Sequence, residues 1–456
     1  MLFNSQIFIA FLLPLSLATW YAFRQTALRE WVMIGLSLAF YAYGDVRFLP
    51  LLITTILLNW GLGLVLHADR RAVWMWLGVL ANLGVLGYFK YRNFFMDTLM
   101  AVVGQDYQPL PLVLPIGVSF FTFQHISFLV DTYRGEAPRY PLRRYALYVS
   151  FFPHLIAGPI VRHNEFIPQF DLPPHRPEWA ENMVRGLAMF VMGLGKKLLL
   201  ADQMAPYSNA VFAQAKTGVP DLMAAWGGAL AYTLQIYFDF SAYTDMAIGV
   251  ALMMGVMLPV NFLSPYRAVT LQDFWRRWHA SLSRFLRDYL YFSMGGSRHG
   301  PVRLVLATLI LMVVCGLWHG ASWTFLAWGL LHGVGLVLFR AWKALGGRLP
   351  LPLAWLLTML FVMAGWILFR AETFTAALHI YQGMLGLGAV DVAAEFKEKV
   401  ALLGIAVILL LPPSQDIMTR WVRPWRPLAV LLAIALLALL LEIGKDRAVE
   451  FIYFQF

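Results

Sequence analysis

Between Leu304 and Phe339 the chain carries no Asp, Glu, Lys or Arg, and at the centre of that run stands a histidine, His319, within Leu-Trp-His-Gly-Ala-Ser-Trp. An imidazole inside apolar sequence is costly unless it has a partner or a task. It titrates near neutral pH, so it can accept a proton from a reacting hydroxyl. Two readings stand side by side here: a ring bonded to a neighbouring helix, or a general base. Trp318 and Trp323 flank it as candidate substrate-binding side chains. His332 follows thirteen residues later, about 220° of rotation further on an unbroken helix. The two rings would then not share a face, and they do not read as a metal-chelating pair. Cys315 lies four residues before His319 and would share its face. A Cys/His nucleophile pair is one use of that spacing, and a small apolar filler is the commoner one.

A second histidine, His279, belongs to a segment of different character. In Gln272–Phe292 the residues Trp275, Trp278, Leu282, Phe285, Tyr289 and Phe292 recur every three or four positions, while Arg276, Arg277, Arg284, Arg287 and Asp288 fall off the stripe. That pattern predicts one amphipathic helix lying in the membrane interface, with His279 at the edge of its apolar face and Gly295-Gly296 ending it. Asp239 and Asp245 fall between two apolar runs, where acids either pair with a cation or couple ion movement. No Gly-x-Ser-x-Gly elbow, Walker A loop, His-Glu-x-x-His or glycine-rich dinucleotide fingerprint is present.

The elements that must position these groups are membrane helices. Of 456 residues 60% are hydrophobic and 13% charged, with mean hydropathy +0.66, whereas soluble domains carry about 25% charged residues. Runs of spanning length occur at 1–23, 48–66, 72–89, 107–130, 222–238, 246–266 and 349–369, with shorter ones near 145–161, 186–195, 400–415 and 427–441. The 304–339 run would be roughly 54 Å long as one helix, too long for a hydrocarbon core of about 30 Å. It must turn, tilt or re-enter, and Gly316, Gly320 and Ser322 mark the cheapest break. Gly316/Gly320 and Gly329/Gly333 have the small-xxx-small spacing of close helix packing.

The expected fold is therefore all-α: a single multi-pass membrane domain over residues 1–456, with about eleven transmembrane helices plus interfacial or re-entrant pieces. Its first run lacks a basic leader and a small-residue cleavage site, so it reads as a retained helix. Arg24 and Arg29 behind it suggest an outside N-terminus. The polar, proline-rich stretch 162–185 reads as a loop. The net charge of +10 collects between apolar runs, at Arg70-Arg71, Arg143-Arg144, Lys196-Lys197, Arg276-Arg277 and Arg420/Arg423/Arg426. That is anchoring to the lipid bilayer and its headgroups, not a nucleic-acid footprint. A single cysteine rules out an internal disulfide and a thiolate-cluster metal site.

Taken together, Trp318-His319-Gly320-x-x-Trp323-x-Phe325-x-x-Trp328-Gly329-x-x-His332-Gly333 resembles the signature of the membrane-bound O-acyltransferases. So does Phe274-Trp-Arg-Arg-Trp-His279-x-Ser-Leu, followed by Arg287-Asp-Tyr-Leu-Tyr. Asp131-Thr-Tyr-Arg-Gly, Phe152-Pro-His-Leu-Ile-Ala-Gly-Pro and the terminal Phe-Ile-Tyr-Phe-Gln-Phe extend the likeness over nearly the whole chain, toward the bacterial branch that acetylates alginate. The resemblance implies a central cavity and His319 and His279 as catalytic residues, with Trp278, Trp318 and Trp323 near the substrate and no metal. It implies no bound cofactor, acetyl-CoA as a cytoplasmic acyl donor, periplasmic partner proteins, and a place in the bacterial inner membrane. Alginate is the acceptor it favours. Cellulose, peptidoglycan or teichoic-acid D-alanyl transfer on the same fold stay open. A reading of another class is a polysaccharide or acyl-carrier transporter with Asp239, Asp245 and His319 as coupling groups.

Overall fold

The computed structural model describes residues 1–23, 26–296, 300–392, 394–443 and 451–452. Arg24 and the last four residues of the C-terminal motif lie outside them. The described residues form helices joined by loops, with one β-bridge between Pro220 and Val390. Five helical stretches are long and apolar enough to cross a membrane: Thr26–Ala68, Ala72–Val102, Pro301–His319, Trp323–Ala344 and Leu351–Arg370. A sixth arises if the pair Glu398–Leu410 and Ser414–Arg420, bent by 57°, counts as one span. By length and composition the described residues thus give five or six spans where the sequence suggested eleven. This is a multi-pass membrane protein in which many apolar stretches form shorter or broken helices.

The differences have local causes. Thr26–Asp45 is a helix that its own charges hide from an apolar-run reading. Glu30 is fully buried and accepts from Arg143 Nε at 2.7 Å, while the Arg29 guanidinium lies 4.6 Å from the Trp20 ring. Arg29 is therefore an interior helix residue rather than part of a cytoplasmic loop. The run expected at 107–130 becomes helical only at Val118. Pro109, Pro111 and Pro115 keep the preceding chain extended, and Gly117 turns it at φ +76°. Conversely, the helix Trp179–Lys196 begins inside the stretch read as loop, 162–185. Asp239 and Asp245 do not separate two spans: both lie within one 32-residue helix, Leu222–Met253.

The chain divides into two compact units interleaved in sequence. One comprises Met1–Leu194, Tyr243–Pro259 and Met418–Glu450. Its interior holds bonded polar pairs, His163 Nε2 with Asp131 at 3.0 Å and His125 Nδ1 with the Tyr145 hydroxyl at 2.7 Å. The other comprises Gly195–Ala242, Val260–Ile417 and the C-terminal residues 451–452, and it contains both candidate histidines. There, Lys197 is fully buried between Asp239 at 2.6 Å and Asp202 at 2.8 Å, and the Ile452 amide donates to the second Asp239 oxygen at 2.7 Å. Lys197 is accordingly an internal counter-ion, not the headgroup anchor its sequence neighbourhood suggested.

The 304–339 run breaks where glycine and serine allow. Pro301–His319 ends at the histidine, and Ser322 caps the returning helix Trp323–Ala344 by accepting from the Phe325 amide. The two helices of this hairpin touch through their backbones. A Cβ on Gly316 would lie 2.2 Å from the Phe325 carbonyl oxygen, and one on Gly329 would lie 2.2 Å from that of Met312. Backbone cannot move aside as a flexible side chain can. Gly316→Ala and Gly329→Ala should each lower stability by about 3 kcal/mol or prevent accumulation. Gly61→Ala, in a helix with nothing within 4 Å of the added methyl, should be neutral or up to ~1 kcal/mol stabilising. Thermal melts of the detergent-solubilised chain would show the contrast.

Candidate active site

The expected amphipathic helix 272–292 is interrupted at the residue that matters. Leu271–Arg277 and Ala280–Leu286 are separate short helices, and between them His279 adopts a left-handed conformation, φ +44° and ψ +52°. Such a backbone costs a non-glycine residue about 1–2 kcal/mol, and here Asn261 holds it. The Asn261 carbonyl accepts from the Ala280 amide at 3.0 Å. Its side-chain oxygen accepts from the Ser281 amide at 3.3 Å, the Ser281 hydroxyl at 2.9 Å and His279 Nδ1 at 3.0 Å. Because a backbone N–H can only donate, that oxygen is an acceptor, and His279 Nδ1 must carry the hydrogen. The ring's lone pair then resides on Nε2. His279 lies outside the long apolar spans but is fully buried, and burial pushes its pKa well below the usual imidazole range, favouring the neutral form.

The break turns His279 from the edge of an interfacial helix into the protein interior. Its ring packs 4.8 Å from Phe240 and 6.0 Å from Trp318. Trp318 in turn lies 4.9 Å from the His319 ring, so both imidazoles rest against one buried indole. His319 is only 5% exposed. Trp328 stands perpendicular to its ring at 5.3 Å and Phe369 completes the cage at 5.1 Å. Three aromatic walls leave little room for bulk water.

Around this pair the second unit builds a hydrogen-bonded aromatic frame. Trp278 stacks on Phe274 at 5.7 Å and packs against Trp366 at 4.8 Å. Trp366 Nε1 donates to the Tyr266 hydroxyl at 2.9 Å, which donates to the Thr233 carbonyl at 2.8 Å. His332 is fully buried, and its Nδ1 accepts from Trp275 Nε1 at 3.2 Å. Its ring lies 5.0 Å from Trp328, the indole that faces His319. His332 therefore supports the cage from behind. It stands on the returning helix, so the rotation reckoned along a single helix does not apply.

Of the residues singled out in the sequence, His279, His319, Trp278 and Trp318 come together. Trp323 does not join them inside: it opens the returning helix with 52% of its surface exposed. Cys315 is buried one turn before His319 and has the packing of a filler. Asn261, Tyr266, Trp328 and Trp366 escaped the sequence reading. Trp328 lay in plain view in the histidine motif. Asn261 offered only a lone amide after the apolar run Val256–Val260, which does not reveal a partner eighteen residues away. Among the described residues, no group of three or more His, Cys, Asp or Glu side chains is placed to hold a metal.

Comparison with known proteins gives a consistent result. Residues 71–371 match the family model of MBOAT, the membrane-bound O-acyltransferase family. A peptidoglycan O-acetyltransferase of Helicobacter pylori is 38% identical over 87% of this chain and 82% of its own. A probable alginate O-acetylase AlgI of Azotobacter vinelandii is 39% identical over 90% and 83% respectively. A teichoic acid D-alanyltransferase of Streptococcus thermophilus is 27% identical over 60% and 72%.

The left-handed turn makes a test of geometry separate from chemistry. His279→Gly relieves the backbone strain that His279→Ala keeps, so the glycine variant should melt higher by a margin equivalent to about 1 kcal/mol. Both variants lose the ring and should be equally impaired in acyl transfer. Paired melting and activity measurements would show it, and equal melting would mean the turn is unstrained.

Proposed function

The chain belongs to the membrane-bound O-acyltransferase family and is an O-acyltransferase, and we propose that it moves acetyl groups from cytoplasmic acetyl-CoA to hydroxyls of a polysaccharide outside the bacterial inner membrane. Alginate is the proposed acceptor, reached through periplasmic partner proteins. The observation that carries the reading is the pair of imidazoles packed on Trp318 at 6.0 and 4.9 Å, inside aromatic walls and within the motifs quoted above.

Acyl transfer to a hydroxyl needs a base and a site that keeps water from the thioester. In the proposed step His319 takes the hydroxyl proton as the oxygen attacks the thioester carbonyl carbon. The carbon–sulfur bond then breaks, and the proton passes to the leaving thiolate. His279, with its tautomer set by Asn261, positions the donor or assists the proton transfer. Trp278 and Trp318 shape the inner site and Trp323 stands at its margin. Transfer is direct, with no acyl-enzyme.

The transporter alternative loses one of its two coupling acids, since Asp239 is engaged by Lys197 and the Ile452 amide. Peptidoglycan is a second acceptor, favoured by the relative of that name at 38% identity. His319→Ala should lower acetyl transfer from acetyl-CoA by about 10²–10⁴-fold with unchanged melting, and His279→Ala should also impair it. A His319→Ala variant with the wild-type rate would overturn the assignment. Mass spectrometry of envelope polymers from cells with and without the protein would separate alginate from peptidoglycan.

A further inference from the structure

A groove of about 410 Å³ lies between the end of helix Trp323–Ala344 and the start of helix Leu351–Arg370. Its walls are apolar apart from two threonines and one lysine, Lys343. Both hydroxyls are engaged: Thr270 accepts from the Asp273 amide at 3.0 Å and Thr358 donates to the Ala354 carbonyl at 2.7 Å. On the second helix Leu351, Ala354, Leu357 and Phe361 form the wall, a stripe three to four residues apart. From the first to the last is about 15 Å of helix at 1.5 Å per residue. That is half of a hydrocarbon core of about 30 Å, the depth of one leaflet.

The two ends of the groove differ. At the deep end Phe361 and Leu271 close on Gly335, where an added Cβ would lie 2.6 and 2.8 Å from them. The shallow end is basic. Lys343 lines it, and Arg348 stands between the lining residues Gly347 and Leu349. Both cations are exposed and have no ion-pair or hydrogen-bond partner for their side chains among the described residues. Nearby Arg340 reaches only a neutral group, the Thr308 hydroxyl at 2.9 Å. No Asp or Glu occurs anywhere between Asp288 and Glu372, so the sequence supplies no local counter-charge. Trp342, half exposed beside Lys343, is the kind of side chain that settles at a membrane–water boundary. Basic ends of spans favour the cytoplasmic side, where anionic headgroups collect.

We propose that this groove is a binding site for one anionic glycerophospholipid of the cytoplasmic leaflet, with a fatty acyl chain against the Leu351–Phe361 stripe and the phosphate at Lys343. An apolar channel one leaflet deep with unpaired cations at its mouth matches that molecule at both ends. The occupant also has a mechanical role. Phe361 lies 5.3 Å from the His332 ring, which backs Trp328 and through it the His319 cage, so a chain in the groove braces that wall from the lipid side.

The full-length protein in neutral detergent is titrated with phosphatidylglycerol and phosphatidylcholine of identical acyl chains, and bound lipid is counted by native mass spectrometry. Wild type should bind the first phosphatidylglycerol at least about tenfold more tightly than phosphatidylcholine. Lys343→Gln combined with Arg348→Gln should bring the two within about threefold, whereas Lys343→Arg should keep the gap. Ala354→Phe, which fills the groove and leaves both cations in place, should weaken both lipids. Arg423→Gln, which removes an exposed cation of another basic cluster, should change nothing. Bound phosphatidylglycerol should raise the melting temperature of wild type and not of the double variant. Equal affinities in wild type overturn the proposal, as does a preference that survives the double replacement or that Arg423→Gln erodes as strongly. Undiminished phosphatidylglycerol binding in Ala354→Phe overturns the placement of the chain. In nanodiscs, replacing phosphatidylglycerol by phosphatidylcholine should slow acetyl transfer by wild type and not by the double variant, and equal rates would remove the bracing role. Binding and melting need no turnover, so they decide the lipid site whatever the acyl donor or acceptor.

Discussion

A helix interrupted in apolar surroundings must find new partners for the peptide groups it frees, and both candidate histidines, His279 and His319, stand at such interruptions. At 278–279 the partner is Asn261, whose two oxygens take up the Ala280 and Ser281 amides and the His279 ring together. At 320–322 the Gly320 amide returns to the Gly316 carbonyl at 3.3 Å and Ser322 caps the next helix. Each break ends a helix at an imidazole instead of carrying it past along a regular face. A continuous helix at either place would leave the ring on a packing surface shared with ordinary apolar neighbours. The cost of breaking helices is what places two imidazoles against the one indole of Trp318.

The hairpin break was readable in the sequence, because length and composition force it. A charge-free run too long to span once, with glycines and a serine grouped at its middle, has one cheap place to turn. The glycine spacings likewise announced the backbone contact between the two helices. The break at His279 was not readable. Nothing in Arg-Arg-Trp-His-Ala-Ser signals an interruption, since no glycine or proline is present and the apolar stripe continues in phase through it. What breaks the helix is Asn261, remote in sequence and visible only once the chain has folded. Periodicity reads local preference, and here a tertiary hydrogen bond overrides it.

Charged residues misled the reading in the opposite sense. Arg29 was placed in a loop behind the first apolar run, yet it and its neighbour Glu30 are buried within a helix. Lys197 looked like half of a headgroup anchor, yet it is fully buried against Asp239 and Asp202. A charge in an apolar interior is tolerable when its counter-charge is equally immobile, and removing one partner alone is then the expensive change. A tally of apolar runs cannot see a counter-charge on a distant element, such as Arg143 for Glu30 or Asp239 for Lys197. Apolar stretches need not be whole spans for a related reason: 107–130 contains prolines, and its helix begins only at Val118.

The surroundings of the two rings differ, and the difference suits two roles. His279 has a polar partner that fixes which nitrogen bears its hydrogen, so its orientation is set before any ligand arrives. His319 is held by shape, between Trp318, Trp328 and Phe369, with the Trp275–His332 bond bracing Trp328 from the far side. Edge-to-face aromatic contacts hold a ring in place by shape, which suits the base proposed at His319. Orientation by a hydrogen bond on one side and by aromatic packing on the other are complementary demands. A membrane interior rich in indole and poor in water meets both, provided the backbone breaks where the imidazoles are.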